Sequence, residues 1–293
     1  MSDVLVVAKR TAYSQHALER KDPEALRLLA AGDPSVARWK KAHDDHEYTL
    51  GCVLRALARA GVNHAVVPAR TAFDATGVRV VVTVGGDGTL LSASHHVGEC
   101  PILGVNSSPT HSIGFFCAAT AESIDTMLQQ ALQGSLPSIR LSRMKVMIDD
   151  VVCSKHVLNE ALFCHAIPAA TSRYILEFGG DSEEQRSSGV WVSTAAGSTA
   201  ALRSAGGDVL PFASEDIQLV VREPYSVTGR GYRLSKCTVT PGQEIVLRSK
   251  MLDARLFLDG PYAAFEVGLG QVLRFSRSDE PLHLLGLTDR PQR

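Results

Sequence analysis

Charge of one sign is what this sequence most lacks. Its 30 Lys and Arg are matched by 31 Asp and Glu, a formal net charge of −1 over 293 residues. Such a balance offers no basic field to nucleic acid or to an anionic membrane surface, so neither is expected as a partner. Long apolar runs are missing too: none approaches the roughly 20 residues of a membrane helix. The six cysteines, Cys52, Cys100, Cys117, Cys153, Cys164 and Cys237, form no C-x-x-C pair. No secretory leader stands before them, so the expectation is free thiols in a reducing cytoplasm, without disulfide or zinc. Internal repeats and low-complexity tracts are absent. What remains is an ordinary globular composition, 45% hydrophobic and 21% charged, in a chain long enough for two domains.

The first half alternates two kinds of segment. VLVVAK (4–9), HAVVPA (64–69), RVVVTV (79–84) and PILGVN (101–106) read as strands. Between the first two, residues 37–61 carry Leu50, Val53, Leu54 and Leu57 at three- and four-residue spacing and end at Gly61, which predicts a long helix. Further helices are expected from about Thr89 and about Ala121, and the polar stretch up to about Val36 reads as a loop or short helix. Strand and helix taking turns predicts βαβ crossovers and a parallel sheet buried on both faces. After about Pro137 the chain changes to short β-rich runs split by Gly, Pro, Asp and Ser, which predicts a mainly antiparallel β domain. The expected division is an α/β Rossmann-like domain over 1–138, a β-rich domain over 139–270, and a C-terminal strand segment over 271–293 that packs back on the first. His43 and His46 have the i, i+3 spacing of metal ligands, but among the charges of HDDHE they are expected on a solvated helix face. His95 and His96 are expected as surface or packing residues.

From Val80 to His96 the chain reads VVVTVGGDGTLLSASHH, a β-branched run followed by glycines around Asp87; the nearest other carboxylates in sequence are Asp74 and Glu99. The GGDGT turn stands at the carboxyl end of an expected parallel strand, just before a helix, where open α/β sheets bind ligands. Glycines there let a phosphate approach the backbone, and N–H groups of the loop and helix start point at it. A carboxylate in such a loop would repel phosphate by itself. Its presence predicts chemistry: a general base for a hydroxyl that attacks a phosphoryl group, with magnesium assisting. A bare D-G pair is also a common turn; the strand before it and the helix after it single this one out.

GGDGT resembles the phosphate loop of NAD kinases and of diacylglycerol and sphingosine kinases, and in a related form that of phosphofructokinases. LNEALF (158–163), STAAGSTAALRSAGG (193–207) and the pair Asp259-Gly260 narrow the resemblance to the NAD kinase family over roughly residues 80–260. The wording is most similar to plant-type NADH kinases. The resemblance implies that Asp87 takes the proton of the adenosine ribose 2′-hydroxyl as that oxygen attacks the γ-phosphorus of ATP. It implies that Gly85, Gly86, Gly88 and Thr89 hold phosphates, and that Asn159 and Glu160 hydrogen-bond the dinucleotide. Thr199, Ala200, Ala201 and Ser204 match further dinucleotide contacts, and Phe115 and Phe116 match an aromatic pair beside the substrate. It also implies ATP, a divalent cation such as Mg2+, NAD(H) as substrate, and a homodimer or homotetramer. From the residues alone, Asn159 and Glu160 also fit a turn-capping pair, the Gly-Ser-Thr segment a plain β-to-α turn, and the two phenylalanines core positions.

Two departures from the commoner family pattern stand out. Ala201 occupies the place of a tyrosine, and Ser188, in the run Arg186-Ser187-Ser188-Gly189, occupies the place of an aspartate that the resemblance sets near the nicotinamide. Oxidised nicotinamide is cationic and reduced nicotinamide is neutral, so losing that carboxylate favours NADH over NAD. Two other functions share some of these features. A lipid kinase would use the same glycine turn but calls for a basic or apolar membrane-facing surface, which the charge pattern lacks. A dinucleotide-binding regulator without turnover would account for Ala201 and Ser188, but not for an intact Asp87.

Overall fold

In the computed structural model, which describes residues 3–226, 229, 231–261 and 263–289, the first strand β1 (Val4–Ala8) is buried along its whole length. A π-helical turn (Ser14–Glu19) and α1 (Pro23–Ala30) follow. The Asp22 side chain caps α1, accepting from the N–H groups of Glu24 at 3.1 Å and Ala25 at 3.4 Å. Then come α2 (Trp39–Arg59), β2 (His64–Pro68), β3 (Val80–Gly85), α3 (Asp87–Ser94), β4 (Ile102–Asn106) and α4 (Ile124–Gln133), with β5 (Ser138–Leu141) after them. Gly134, in the left-handed region at φ 70°, ends α4. β1 pairs in parallel with β2 and β3, and β3 in parallel with β4. All six residues of β3 are buried, as a strand covered on both faces requires.

The chain divides into two compact units, Met1–Ile139 with His283–Arg293 and Arg140–Leu282. The second unit is almost wholly β: β6 (Met144–Ile148), β7 (Val151–Val157), β8 (Glu160–His165), β9 (Ser172–Phe178), β10 (Asp181–Ser187), β11 (Val190–Thr194), the single-turn α5 (Ala201–Ser204), β12 (Ile217–Val221), β13 (Lys236–Val239), β14 (Glu244–Ser249), β15 (Ala254–Leu258), β16 (Ala263–Val267) and β17 (Val272–Arg277). These form two six-stranded sheets, ordered β10-β9-β14-β17-β6-β7 and β13-β12-β11-β8-β15-β16, with the pairings antiparallel. Their facing sides supply one core, with Tyr174, Leu247 and Phe275 from one sheet and Phe163, Val192 and Leu256 from the other. The last strand, β18 (Leu282–Leu285), joins the first sheet, whose order is β2-β1-β3-β4-β18-β5. An α/β region with a parallel sheet and a mainly antiparallel β region are thus both present, as expected.

Three details differ from the sequence reading. The stretch before α2, expected as a loop or short helix, holds two helical segments, a π-helical turn and a capped helix. The chain returns to the first unit at His283 rather than at 271, because β17 is paired on both sides, with β14 and β6, inside the second unit. The third difference is a correction to the helix face. His46 is 2% exposed, and the His43 ring packs 5.2 Å from that of Tyr13 and hydrogen-bonds the Thr11 hydroxyl at 3.0 Å. The segment after β1 covers this side of α2, which the charges of HDDHE do not reveal. Burial, then the nearby charges of Lys9 and His43, lower the His46 pKa to about 4.

Candidate active site

In the first unit the site grows out of the end of β3. The strand carries the chain to Gly85 and Gly86, and α3 begins at Asp87, so the carboxylate sits on the first turn of a helix. Two of the glycines are required by space. A Cβ on Gly85 would lie 2.1 Å from the Thr89 hydroxyl oxygen, and one on Gly86 would lie 2.4 Å from that of Ser112. Gly88 has nothing within 4 Å of its missing Cβ. One oxygen of Asp87 accepts from the backbone N–H of Phe116 at 2.8 Å, which fixes the carboxylate. The loop that delivers Phe116 is itself held by Asn106, which donates to the Ser112 carbonyl and accepts from the Ser108 N–H, each at 3.1 Å. Gly114, at φ 58°, brings the backbone close against that same amide.

A cavity of about 350 Å³ opens over this loop. It is lined by Gly86, Asp87, Gly88 and Thr89, and by three cationic residues that the sequence reading missed, Lys9, Arg10 and Arg70. Lys9 and Arg10 follow β1 directly and Arg70 follows β2 by two residues, so a parallel sheet delivers all three at its carboxyl end. Cations just past strand ends were the available signal. Burial of its ammonium, then the charge of Arg70, lower the pKa of Lys9. Asp87 is the carboxylate lining this cavity, and no group of three or more His, Cys, Asp or Glu able to hold a metal occurs among the described residues. That donor set fits magnesium, which usually takes one or two carboxylates and completes its shell with phosphate oxygens and water.

Of the expected aromatic pair, Phe115 is half-buried and Phe116 is 2% exposed, the rings meeting edge to face at 5.3 Å. Phe116 therefore reaches the loop through its N–H while its ring serves the interior.

In the second unit, Asn159 and Glu160 lie at the start of β8, beside the Gly-Ser-Thr segment. Asn159 presents its carbonyl to the N–H of Thr194 and the hydroxyl of Ser193, both at 2.9 Å. Gly197 passes so close that a Cβ there would lie 2.3 Å from the Asn159 carbonyl oxygen. Side-chain atoms Asn159 Oδ1 and Glu160 Oε2 are buried and without a hydrogen-bond partner among the described residues. Burial first, and the Asp259 charge second, push the Glu160 carboxyl up to about 7. Glu160 lines a cavity of about 290 Å³ with Leu162, Trp191 and Phe257. A neighbouring cavity of about 530 Å³ is lined by Trp191, Ala201, Ser204, Arg222 and Glu223. Thr199, at the end of the segment's 3-10 turn, and Ala200, between that turn and α5, are half-buried. Ser188 stands in the turn before β11, where its N–H donates to the Arg222 carbonyl at 3.0 Å. The guanidinium of Arg222 lies 5.7 Å from the centre of the Trp191 ring.

Residues 24–136 match the family model for the ATP-NAD kinase N-terminal domain. The chain is 36% identical over 227 residues to a rice protein named "Probable NADH kinase", covering 70% of each. It is 37% identical over 228 residues to the NADH kinase of Arabidopsis thaliana, covering 70% of this chain and 71% of that one. Among solved structures, an NAD kinase from Archaeoglobus fulgidus in complex with ATP superposes with a TM-score of 0.64 over 96% of this chain and 92% of that one, at 21% identity, a likeness of fold.

Proposed function

The chain belongs to the NAD kinase family, and from that premise we propose that it transfers the γ-phosphoryl group of ATP to the 2′-hydroxyl of the adenosine ribose of NAD and NADH. The observation that carries this reading is Asp87, a carboxylate fixed by the Phe116 N–H inside a glycine loop whose cavity also holds Lys9, Arg10 and Arg70. A carboxylate lining a cavity with three cationic residues, of which Arg10 is paired with Glu19, is suited to taking a proton while phosphate charge is neutralised around it.

In this mechanism the 2′-oxygen attacks the γ-phosphorus, Asp87 accepts the hydroxyl proton, and the bond from the γ-phosphorus to the bridging oxygen breaks to release ADP. Gly85, Gly86, Gly88 and Thr89 hold phosphates through the loop, and the three cations offset the charge of the triphosphate. Magnesium, if held by the phosphate oxygens beside the loop, would supply further neutralisation of phosphate charge. Positioning and electrostatics supply much of the rate.

Asn159, Glu160, Thr199, Ala200, Ala201 and Ser204 act as dinucleotide contacts, with Ser188 toward the nicotinamide and Phe115 beside the substrate. The unpartnered oxygens of Asn159 and Glu160 support that assignment, since buried polar atoms are retained where a ligand satisfies them. NADH is the preferred form: Ser188 carries no charge to attract oxidised nicotinamide, and plant relatives bear the name NADH kinase. The protein works in the cytoplasm as a homodimer or homotetramer, a reading supported by its free cysteines and by the family resemblance. Supplying purified protein with ATP, magnesium and either dinucleotide, and measuring NADP and NADPH directly, tests the whole reading. Phosphorylation of a diacylglycerol or sphingoid base instead would replace it with a lipid kinase.

A further inference from the structure

The backbone around Asn159 and Glu160 can be accounted for group by group. One carboxylate, that of Asp259, accepts from three successive N–H groups, of Leu158 at 2.8 Å, Asn159 at 2.7 Å and Glu160 at 3.1 Å. In return the Asp259 N–H donates to the Glu160 carbonyl at 2.9 Å. The Leu158 carbonyl accepts from the Thr194 hydroxyl, and that of Asn159 from Ser193 and Thr194. Each backbone donor and acceptor from 158 to 160 is therefore engaged within the protein. What the turn has left to offer a ligand is its side chains, and there Asn159 Oδ1 and Glu160 Oε2 are buried without partners among the described residues.

Three consecutive N–H groups converging on one point make an anion nest. Here an internal carboxylate fills it, supplied from the end of β15 by a residue whose own backbone is left-handed at φ 49°. The neighbouring Gly260, at φ 104°, lines the same cavity as Glu160. A left-handed aspartate costs backbone energy, which its three hydrogen bonds offset.

We propose that Asp259 is a positioning residue for the dinucleotide: by occupying the nest it fixes the turn and so holds the Asn159 amide and the Glu160 carboxyl in place as the turn's two ligand-binding groups. This rests on the reading of the second unit as dinucleotide-binding. Burial first and the charge of Asp259 second raise the Glu160 carboxyl to about 7, so near neutral pH it can offer a ligand a proton as well as an oxygen that accepts. A ribose hydroxyl or a carboxamide needs both.

The experiment compares the full chain with Asp259→Asn and Asp259→Ala. Its readouts are NADH binding by the fluorescence of NADH itself, KM for NADH and for ATP, kcat, and thermal midpoint. The expected result is a KM for NADH raised about tenfold or more in the Ala variant and by less in Asn, which keeps one acceptor oxygen, with KM for ATP within about twofold. A folded Asp259→Asn or Asp259→Ala protein with unchanged NADH binding overturns the proposal, as do KM values for NADH and ATP that rise together. If neither variant folds, amide spectra of the wild-type protein decide. The Leu158, Asn159 and Glu160 N–H signals must move together in one titration of a single carboxylate, and the Asn159 side-chain amide must shift on adding NADH; failure of either overturns the proposal. Wild-type protein that neither binds nor phosphorylates NADH overturns the functional reading and this inference with it. Wild-type protein that binds NADH beside variants that bind it equally well overturns the inference alone.

Discussion

Phe116 and Asp87 are 29 residues apart in sequence, and the backbone N–H of the first donates to the carboxylate of the second at 2.8 Å. A hydrogen bond to the charged form orients the carboxylate and leaves its second oxygen for a substrate proton. Because the donor is main chain, no replacement at 116 other than proline removes it; the base is held by the course of the loop that Asn106 organises.

The glycines of this loop should divide by their surroundings. Gly85→Ala sets a methyl 2.1 Å from the Thr89 hydroxyl oxygen and 2.7 Å from its Cβ. Overpacking of this kind costs about 1–3 kcal/mol. Thermal denaturation is expected to show a lowered midpoint for Gly85→Ala, with activity lost alongside it. Gly88→Ala, with open space around it and a place in α3, is expected to keep the midpoint.

Lys9 is expected to act on the nucleotide rather than on the fold. Lys9→Met removes a cation from the cavity over Asp87 while leaving β1 buried as before. Hydrogen bonds to charged groups contribute about 1.5–3 kcal/mol, so KM for ATP should rise roughly tenfold or more, with an unchanged thermal midpoint. An unchanged KM would remove Lys9 from the phosphate site.

Ser188 carries the argument about redox form. Restoring a carboxylate by Ser188→Asp adds an attraction of about 1–4 kcal/mol for a cationic ring at ~4 Å, depending on the effective dielectric. The ratio of kcat/KM for NADH over NAD is expected to fall by about tenfold or more. Arg222, whose carbonyl bonds the Ser188 N–H, is the nearby cation that would compete for the new carboxylate.

Two buried groups should make stability depend on pH in opposite windows. His46 has its folded value lowered to about 4 from 6.5, so its neutral burial is fully favourable above 6.5 and that stability is lost as pH falls toward 4. Glu160 has its folded value raised to about 7 from 4.5, so stability is full below 4.5 and is lost as pH rises through 7. Each amounts to about 3 kcal/mol at most. Denaturant unfolding of His46→Gln should flatten the acid side alone, and of Glu160→Gln the neutral side alone.

The sequence disclosed the elements whose signals are local. A β-branched run, a glycine turn and a helix start lie within 15 residues of Asp87, and the same compactness made LNEALF and the Gly-Ser-Thr segment readable. Lys9 and Arg70 carried only a weak signal, cations just past strand ends, because it is the parallel pairing order of β1, β2 and β3 that brings those ends beside the loop. His46 was misjudged because what covers α2 is a segment 30 residues earlier, whose packing no charge pattern encodes. Asp259 showed as part of a motif, yet its hold on Leu158, Asn159 and Glu160 spans about 100 residues of chain.

The most direct test supplies purified wild-type and Asp87→Asn proteins with ATP, magnesium and NADH or NAD, and measures NADPH and NADP formed. The account predicts product from both dinucleotides with wild type, more from NADH, and a loss of at least about a hundredfold in kcat for a folded Asp87→Asn protein. Binding of dinucleotide without any product from wild type, or undiminished turnover by the variant, would contradict it.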